Sequence, residues 1–188
     1  NSNEQITFTT AGSAVNEFTI ANAGTGAAPS ISATGGDASI DLNITPKGNG
    51  RATFNGQGKI QSVAEKVTTA AVAATGTVAY DVLTQAVLNY TTDASGNWTL
   101  NVRGDGSTSL DSIMDTGESI TVAHIVKQGG TAYYNSAFQI DGSSVTPEYQ
   151  GGAAPTGGNI NSLDVYSYTI IKTGSGTFTA LASQTQFA

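Results

Sequence analysis

The chain has 188 residues, a formal net charge of −7, one histidine, no cysteine and 23 glycines, and only 11% of its residues are charged. An average soluble domain carries about 25% charged residues, so this composition points to a turn-dense β protein and away from a helical cytosolic enzyme. It excludes a disulfide framework, a thiolate metal site and a multi-histidine metal site. The lysines and arginines, Lys47, Arg51, Lys59, Lys66, Arg103, Lys127 and Lys172, are scattered, which argues against a grip on nucleic acid. No run approaches the ~18 consecutive apolar residues of a bilayer-spanning helix, so no membrane insertion is expected.

Residues 1–60 read as a β-rich stem or assembly segment. Ile6–Thr10, Val15–Ala21, Ser30–Ala33, Ser39–Ile44 and Arg51–Phe54 are short strand-like runs separated by Gly12, Gly24-Thr25-Gly26, Gly35-Gly36-Asp37 and Lys47-Gly48-Asn49-Gly50. In Ser39–Ile44, Ile40, Leu42 and Ile44 alternate with Ser39, Asp41 and Asn43, the pattern of a half-buried strand. Large apolar residues are otherwise few. So small a stock covers a core poorly, because short domains bury too little surface to offset chain entropy. Interwound copies, most simply a trimer, would close the gap by sharing one axial core. Phe8, Phe18, Ile20, Ile40, Leu42, Ile44 and Phe54 are the residues expected there. The alternative is a small meander packed on the C-terminal domain.

Residues 61–188 read as a second domain, after a hinge near Gln57–Lys66. The strand-like runs lengthen: Val67–Ala74, Thr77–Val82, Ala86–Thr91, Trp98–Arg103, Ser119–Lys127, Thr131–Asp141, Val145–Gln150, Asp164–Lys172 and Thr177–Ser183. Asp93-Ala94-Ser95-Gly96 is expected to be a turn with glycine in the left-handed position. Leu110–Met114 is the one helical turn, with Ser109 as N-cap. Glu118–Asp141 is expected to be a β-hairpin reversing at Gln128-Gly129-Gly130, with Ile120, Val122, His124 and Val126 beside Ala132, Tyr134, Ser136 and Phe138 on its apolar face. Gly151–Asn159 is a loop. About nine short strands with regular turns imply an all-β domain, an antiparallel β-sandwich or jelly-roll knob.

Candidate chemistry is sparse. His124, the only histidine, leaves room for one Ser-His-Asp centre; on the apolar hairpin face beside Tyr134 it is expected instead to be a neutral imidazole hydrogen-bonded to a hydroxyl. Asp37, Asp93, Asp105 and Asp141 sit in turns, where capping is their expected work, and their spacing is not that of a calcium hand. No catalytic residue, cofactor or metal ligand is assigned. The aromatics are more suggestive, because Trp98 and all seven tyrosines fall in the C-terminal domain. Exposed Tyr and Trp stack on sugars or anchor interfaces, so Trp98, Tyr133 and Tyr149 are the candidate surface or receptor contacts.

The segment IDLNITPKGNGRATFNG, Ile40–Gly56, resembles a phrase found in phage tail-fibre and virion-appendage proteins, where it belongs to a β-rich stem. The region from about Gln85 onward, with NWTLNVRG, ESITVAHIVKQGGTAYYNSAFQIDG, VTPEYQGG and DVYSYTIIKTG, resembles a C-terminal module of structural proteins of marine phages. The resemblance implies a virion protein on the exterior surface or tail, a trimeric tail-fibre tip or capsid decoration. Its implied partners are sister copies, other virion proteins and a host-surface glycan. The rival readings are a carbohydrate-binding module with Trp98 and loop tyrosines as its platform, and a polysaccharide depolymerase domain with two converging acids, either one within an extracellular adhesin.

Overall fold

The computed structural model of the chain describes residues 6–188, so residues 1–5 of the expected stem lie outside the described residues. Strands dominate, helix is confined to two short turns, and the chain divides into two units, Asn1–Gly56 and Gln57–Ala188.

In the N-terminal unit the sequence builds one hairpin. β1 (Asn16–Ala21) pairs antiparallel with β2 (Ser30–Gly35), which sets Phe18 opposite Ala33 and Ile20 opposite Ile31. Gly35, at φ +152°, comes so close to β1 that a Cβ there would lie 2.5 Å from Asn16 Oδ1. Only a glycine closes the ladder there. Lys47-Gly48-Asn49-Gly50 forms the expected turn, with Gly48 at φ +59° and the Gly50 N–H donating to the Lys47 carbonyl at 3.1 Å. Ile6–Thr10, Ser39–Ile44 and Arg51–Phe54, expected as strands, are not strands in the single chain. A strand is completed by a ladder, and these strand-type runs join no strand ladder among the described residues.

The C-terminal unit is a two-sheet sandwich. One sheet holds six strands in the order β10-β12-β11-β7-β5-β3, and the other holds four in the order β4-β6-β8-β9. The strands are β3 (Val67–Ala73), β4 (Gly76–Asp81), β5 (Val87–Thr92), β6 (Trp98–Arg103), β7 (Ser119–Lys127), β8 (Asn135–Ile140), β9 (Ser143–Ser144), β10 (Glu148–Tyr149), β11 (Leu163–Gly174) and β12 (Thr177–Phe187). From β3 to β8 successive strands alternate between the sheets. As a result β3, β5 and β7 run parallel in one sheet, while β4, β6 and β8 run parallel in the other. Only β7-β11, β11-β12 and β8-β9 pair antiparallel. The wholly antiparallel order of the expected jelly roll is therefore not the order seen. The reason lies in the connections: a few residues cannot return a chain to a parallel neighbour in the same sheet, but they can cross to the facing one.

The expected hairpin over Glu118–Asp141 is corrected on the same ground. β7 and β8 lie in opposite sheets and do not pair. Neither Gly129 nor Gly130 has positive φ. Instead the buried Gln128 side chain clips the loop, its Oε1 accepting from Tyr133 N at 2.9 Å and its Nε2 donating to Tyr133 O at 2.8 Å. Gly129 lies close to Asp93, so that a Cβ there would meet the carboxylate at 2.8 Å and displace it. Gly96 likewise is not in the left-handed region of the Asp93–Gly96 turn; it faces Thr75.

Period-two alternation sends one side of each strand inward. Val78 and Tyr80 of β4, Trp98, Leu100 and Val102 of β6, Phe138 and Ile140 of β8, Val122 and Val126 of β7, and Tyr166, Tyr168 and Ile170 of β11 form a single core. Each such side chain contributes on the order of 1.5–3 kcal/mol through burial. The helical turn α1 (Leu110–Ile113) plugs one side with Leu110, and its Ser109 N-cap accepts from Ser112 N at 3.1 Å as expected. Lys172, buried on β11, holds the other end of α1: its Nζ donates to Asp111 O at 2.5 Å and Met114 O at 2.9 Å and pairs with the Asp111 carboxylate at 2.7 Å.

Candidate functional site

His124 lies inside the sandwich and is fully buried. Its ring meets Tyr90 edge-on at a centroid distance of 5.1 Å and Trp98 at 5.8 Å, while Trp98 meets Tyr166 at 5.3 Å. Neither imidazole nitrogen has a hydrogen-bond partner, so the expected hydroxyl bond does not form. Burial without an acceptor holds the imidazole neutral, with its pKa lowered to about 3. A general base needs a nucleophile to relieve of its proton and an orienting acceptor, and this ring has neither. It is a core aromatic.

Another buried titratable group is Asp164, at the start of β11. Its Oδ2 accepts from Gln128 Nε2 at 3.0 Å and Asn159 N at 3.2 Å, while Oδ1 is buried without a partner. Burial raises its pKa, against the opposing pull of these hydrogen bonds. Gly158 covers the cluster so tightly that a Cβ there would lie 2.4 Å from Tyr133 O and 2.6 Å from Asp164 Oδ2. Gln128 and Asp164 thereby tie the β7–β8 crossing to β11. Sequence reasoning missed this clip, since nothing local marks a glutamine as buried.

The three candidate surface aromatics separate. Trp98 is 1% exposed, at the centre of the core, so it is not a surface contact. Its place on the inward side of β6, with Leu100 and Val102, makes that unavoidable. Tyr133 is half-buried against the core with its backbone clipped by Gln128. Tyr149 is half-buried and borders an open groove of about 400 Å³ with Glu148, Gln150, Ser167, Thr169 and Leu181. The structure does not bring the three together. The acids serve the turns: Asp105 Oδ1 accepts from Ser107 N at 2.7 Å and Thr108 N at 2.8 Å, and Asp141 caps α1 by accepting from Leu110 N at 2.6 Å and Asp111 N at 3.0 Å. Asp93 pairs with Lys127 at 2.8 Å, and Asp37 accepts from Asn16 at 2.7 Å. Among the described residues no group of three or more His, Asp or Glu side chains is placed to hold a metal ion.

The N-terminal unit offers a different surface. None of residues 6–73 is buried. Phe8 is 88% exposed, Phe54 77%, Ile20 73% and Ile44 65%, with Phe18 and Leu42 also exposed and Ile40 half-buried. The β1–β2 register divides the hairpin by character. Phe18, Ile20, Ile31 and Ala33 share one face, while Glu17, Thr19, Ser32 and Thr34 share the other, where the Thr19 and Thr34 hydroxyls meet at 2.7 Å. Phe18 and Ala33 also border a shallow groove with Ile40 and Leu42, which Glu17 and Asp41 line as well. Ile31 was not among the expected interchain residues. Its position opposite Ile20 places it on the same face as Phe18 and Ile20, and that pairing is visible only once the register is known.

The exposed area supports the same picture quantitatively. The chain exposes 12344 Å². Two separate compact bodies with the lengths of the two units would expose about 9,900 Å², leaving an excess of roughly 2,400 Å². Obligate interfaces bury about 2,000–5,000 Å² in all, or about 1,000–2,500 Å² on each partner. No protein-family model, no curated protein and no solved structure matches the chain.

Proposed function

We propose that this chain is a structural protein of a phage virion, an appendage whose N-terminal unit forms a trimeric, interwound β-stem and whose C-terminal sandwich is a knob exposed to the surroundings. The observation that carries the reading is the N-terminal unit's apolar stock, which is uncovered on the single chain. A stable fold covers such residues, and exposed apolar patches of this extent mark interaction surfaces. The strand-type runs Ser39–Ile44 and Arg51–Phe54 gain ladder partners when sister copies wind together. Both fall within the Ile40–Gly56 phrase that resembles virion-appendage stems.

The sandwich supports the knob half of the reading. Asp105, Asp141 and Gln128 are engaged in a turn, a cap and a loop clip, so the chemistry of these groups is directed to holding the sandwich's own shape. A glycan-binding platform on Trp98 is disfavoured by that residue's burial. On this reading surface contact falls to the groove beside Tyr149 and to the loops.

The test is to raise antibodies against the C-terminal unit and apply them, with a gold label, to particles of the phage that encodes the chain. Label on tail tips or on the capsid exterior is the expected result. Particles that carry no label and contain no peptide of this chain by mass spectrometry would overturn the proposal.

A further inference from the structure

We infer that the Phe18/Ile20/Ile31 face of the β1–β2 hairpin is seated against the same face of sister copies at the axis of the assembly, with the Glu17/Thr34 face turned to solvent. This rests on the trimeric reading above and adds to it which surface meets which. The occupant is a second copy of this chain, on three grounds. A rotationally symmetric assembly brings each axial residue close to its own copies, so an axial patch must tolerate itself and cannot carry charge. The face with Phe18, Ile20, Ile31 and Ala33 is free of charged residues, whereas the opposite face holds Glu17. The exposed excess of roughly 2,400 Å² over the whole chain is at the upper end of the about 1,000–2,500 Å² that each partner gives to an obligate interface, and exceeds what a transient contact takes. Finally, Phe18 and Ala33 line a groove with Ile40 and Leu42, so apolar surface continues beyond the hairpin, with Glu17 and Asp41 lining the same groove.

Register supplies the discriminating control, because neighbouring positions on one strand point to opposite faces. Phe18 is axial and Thr19 is not; Ile20 is axial and Ala21 is not. The wild-type chain has no cysteine, so one introduced thiol reports without background.

In the full-length chain, Ile20→Cys is expected to yield disulfide-linked dimers on treatment with diamide, and Ala21→Cys to stay uncrosslinked under the same conditions. Phe18→Asp is expected to weaken assembly at least 100-fold by sedimentation, while Thr19→Asp leaves it within about threefold. If the wild-type chain is oligomeric but Ala21→Cys crosslinks as readily as Ile20→Cys, the face assignment falls and the trimeric reading stands. If the wild-type chain sediments as a monomer at every concentration, the trimeric reading itself falls. Should Phe18→Asp misfold, the paired cysteine variants still decide the matter.

Discussion

The two units hold similar apolar side chains and treat them in opposite ways. In the C-terminal unit Trp98, Leu100, Val102 and Ile170 are no more than 1% exposed, while in the N-terminal unit Phe8, Ile20 and Phe54 are more than 70% exposed. The sandwich satisfies itself because its strands alternate between two facing sheets, so each inward row meets another. The N-terminal hairpin has one apolar face, bordered by Ile40 and Leu42, and among the described residues nothing buries its Phe18, Ile20 or Ile31. Amphipathic patterning thus fixes which side of a strand wants cover. Whether the cover is intrachain depends on whether a second layer is encoded.

This contrast can be tested from the side of the sandwich, where the largest effect is expected from acid. His124 has a folded-state pKa of about 3 against an ordinary 6.5. The unfolded chain therefore takes up a proton first, and stability contributed by the neutral ring is complete above pH 6.5 and declines as pH falls toward 3. The loss reaches about 5 kcal/mol. Asp164 acts in the opposite sense, since its raised pKa makes protonation favour the folded state on acidification. Urea unfolding followed by Trp98 fluorescence between pH 7 and pH 4 should show the decline, and His124→Phe should flatten it. Equal slopes for both proteins would show that His124 is not the source.

Truncating the core at Trp98→Ala comes next, with an expected loss of about 3–5 kcal/mol by thermal or urea melting. The N-terminal unit predicts a sharp counterexample: Phe54→Ala, 77% exposed on the single chain, should leave the melting of the C-terminal unit unchanged. A smaller effect is expected at Gly158→Ala, where the new methyl would press on the Tyr133 carbonyl and the Asp164 carboxylate. Overpacking of this kind costs about 1–3 kcal/mol, and chemical denaturation should register it. Smallest of all is Lys127→Ala. Its ion pair with Asp93 is half-exposed on both sides, so the change should stay within about 0.5 kcal/mol in the same assay.

Much of the sandwich was legible in the sequence, because alternation within each strand is local information. Trp98–Arg103 and Ser119–Lys127 have the bounds their residues suggest, and the Ser109 cap sits where a serine before an apolar turn belongs. What alternation does not encode is the partner of each strand. Gly129-Gly130 reads as a reversal until Gln128 is seen to fold back on Tyr133, and until Asp93 is seen to need the space a side chain would take. The same limit governed Trp98, whose chemistry suggests a surface platform while its register with Leu100 and Val102 sends it inward. In the N-terminal unit the shortage of apolar cover was visible from composition. The sorting of Phe18 and Ile31 onto one face required the ladder.

The most direct test is the solution mass of the full-length chain by light scattering, set beside a chain beginning at Gln57. The account predicts three chains per particle for the first and one for the second, with the Trp98 environment unchanged between them. A full-length chain that is monomeric at every working concentration, with residues 16–35 protected from hydrogen exchange, would contradict it.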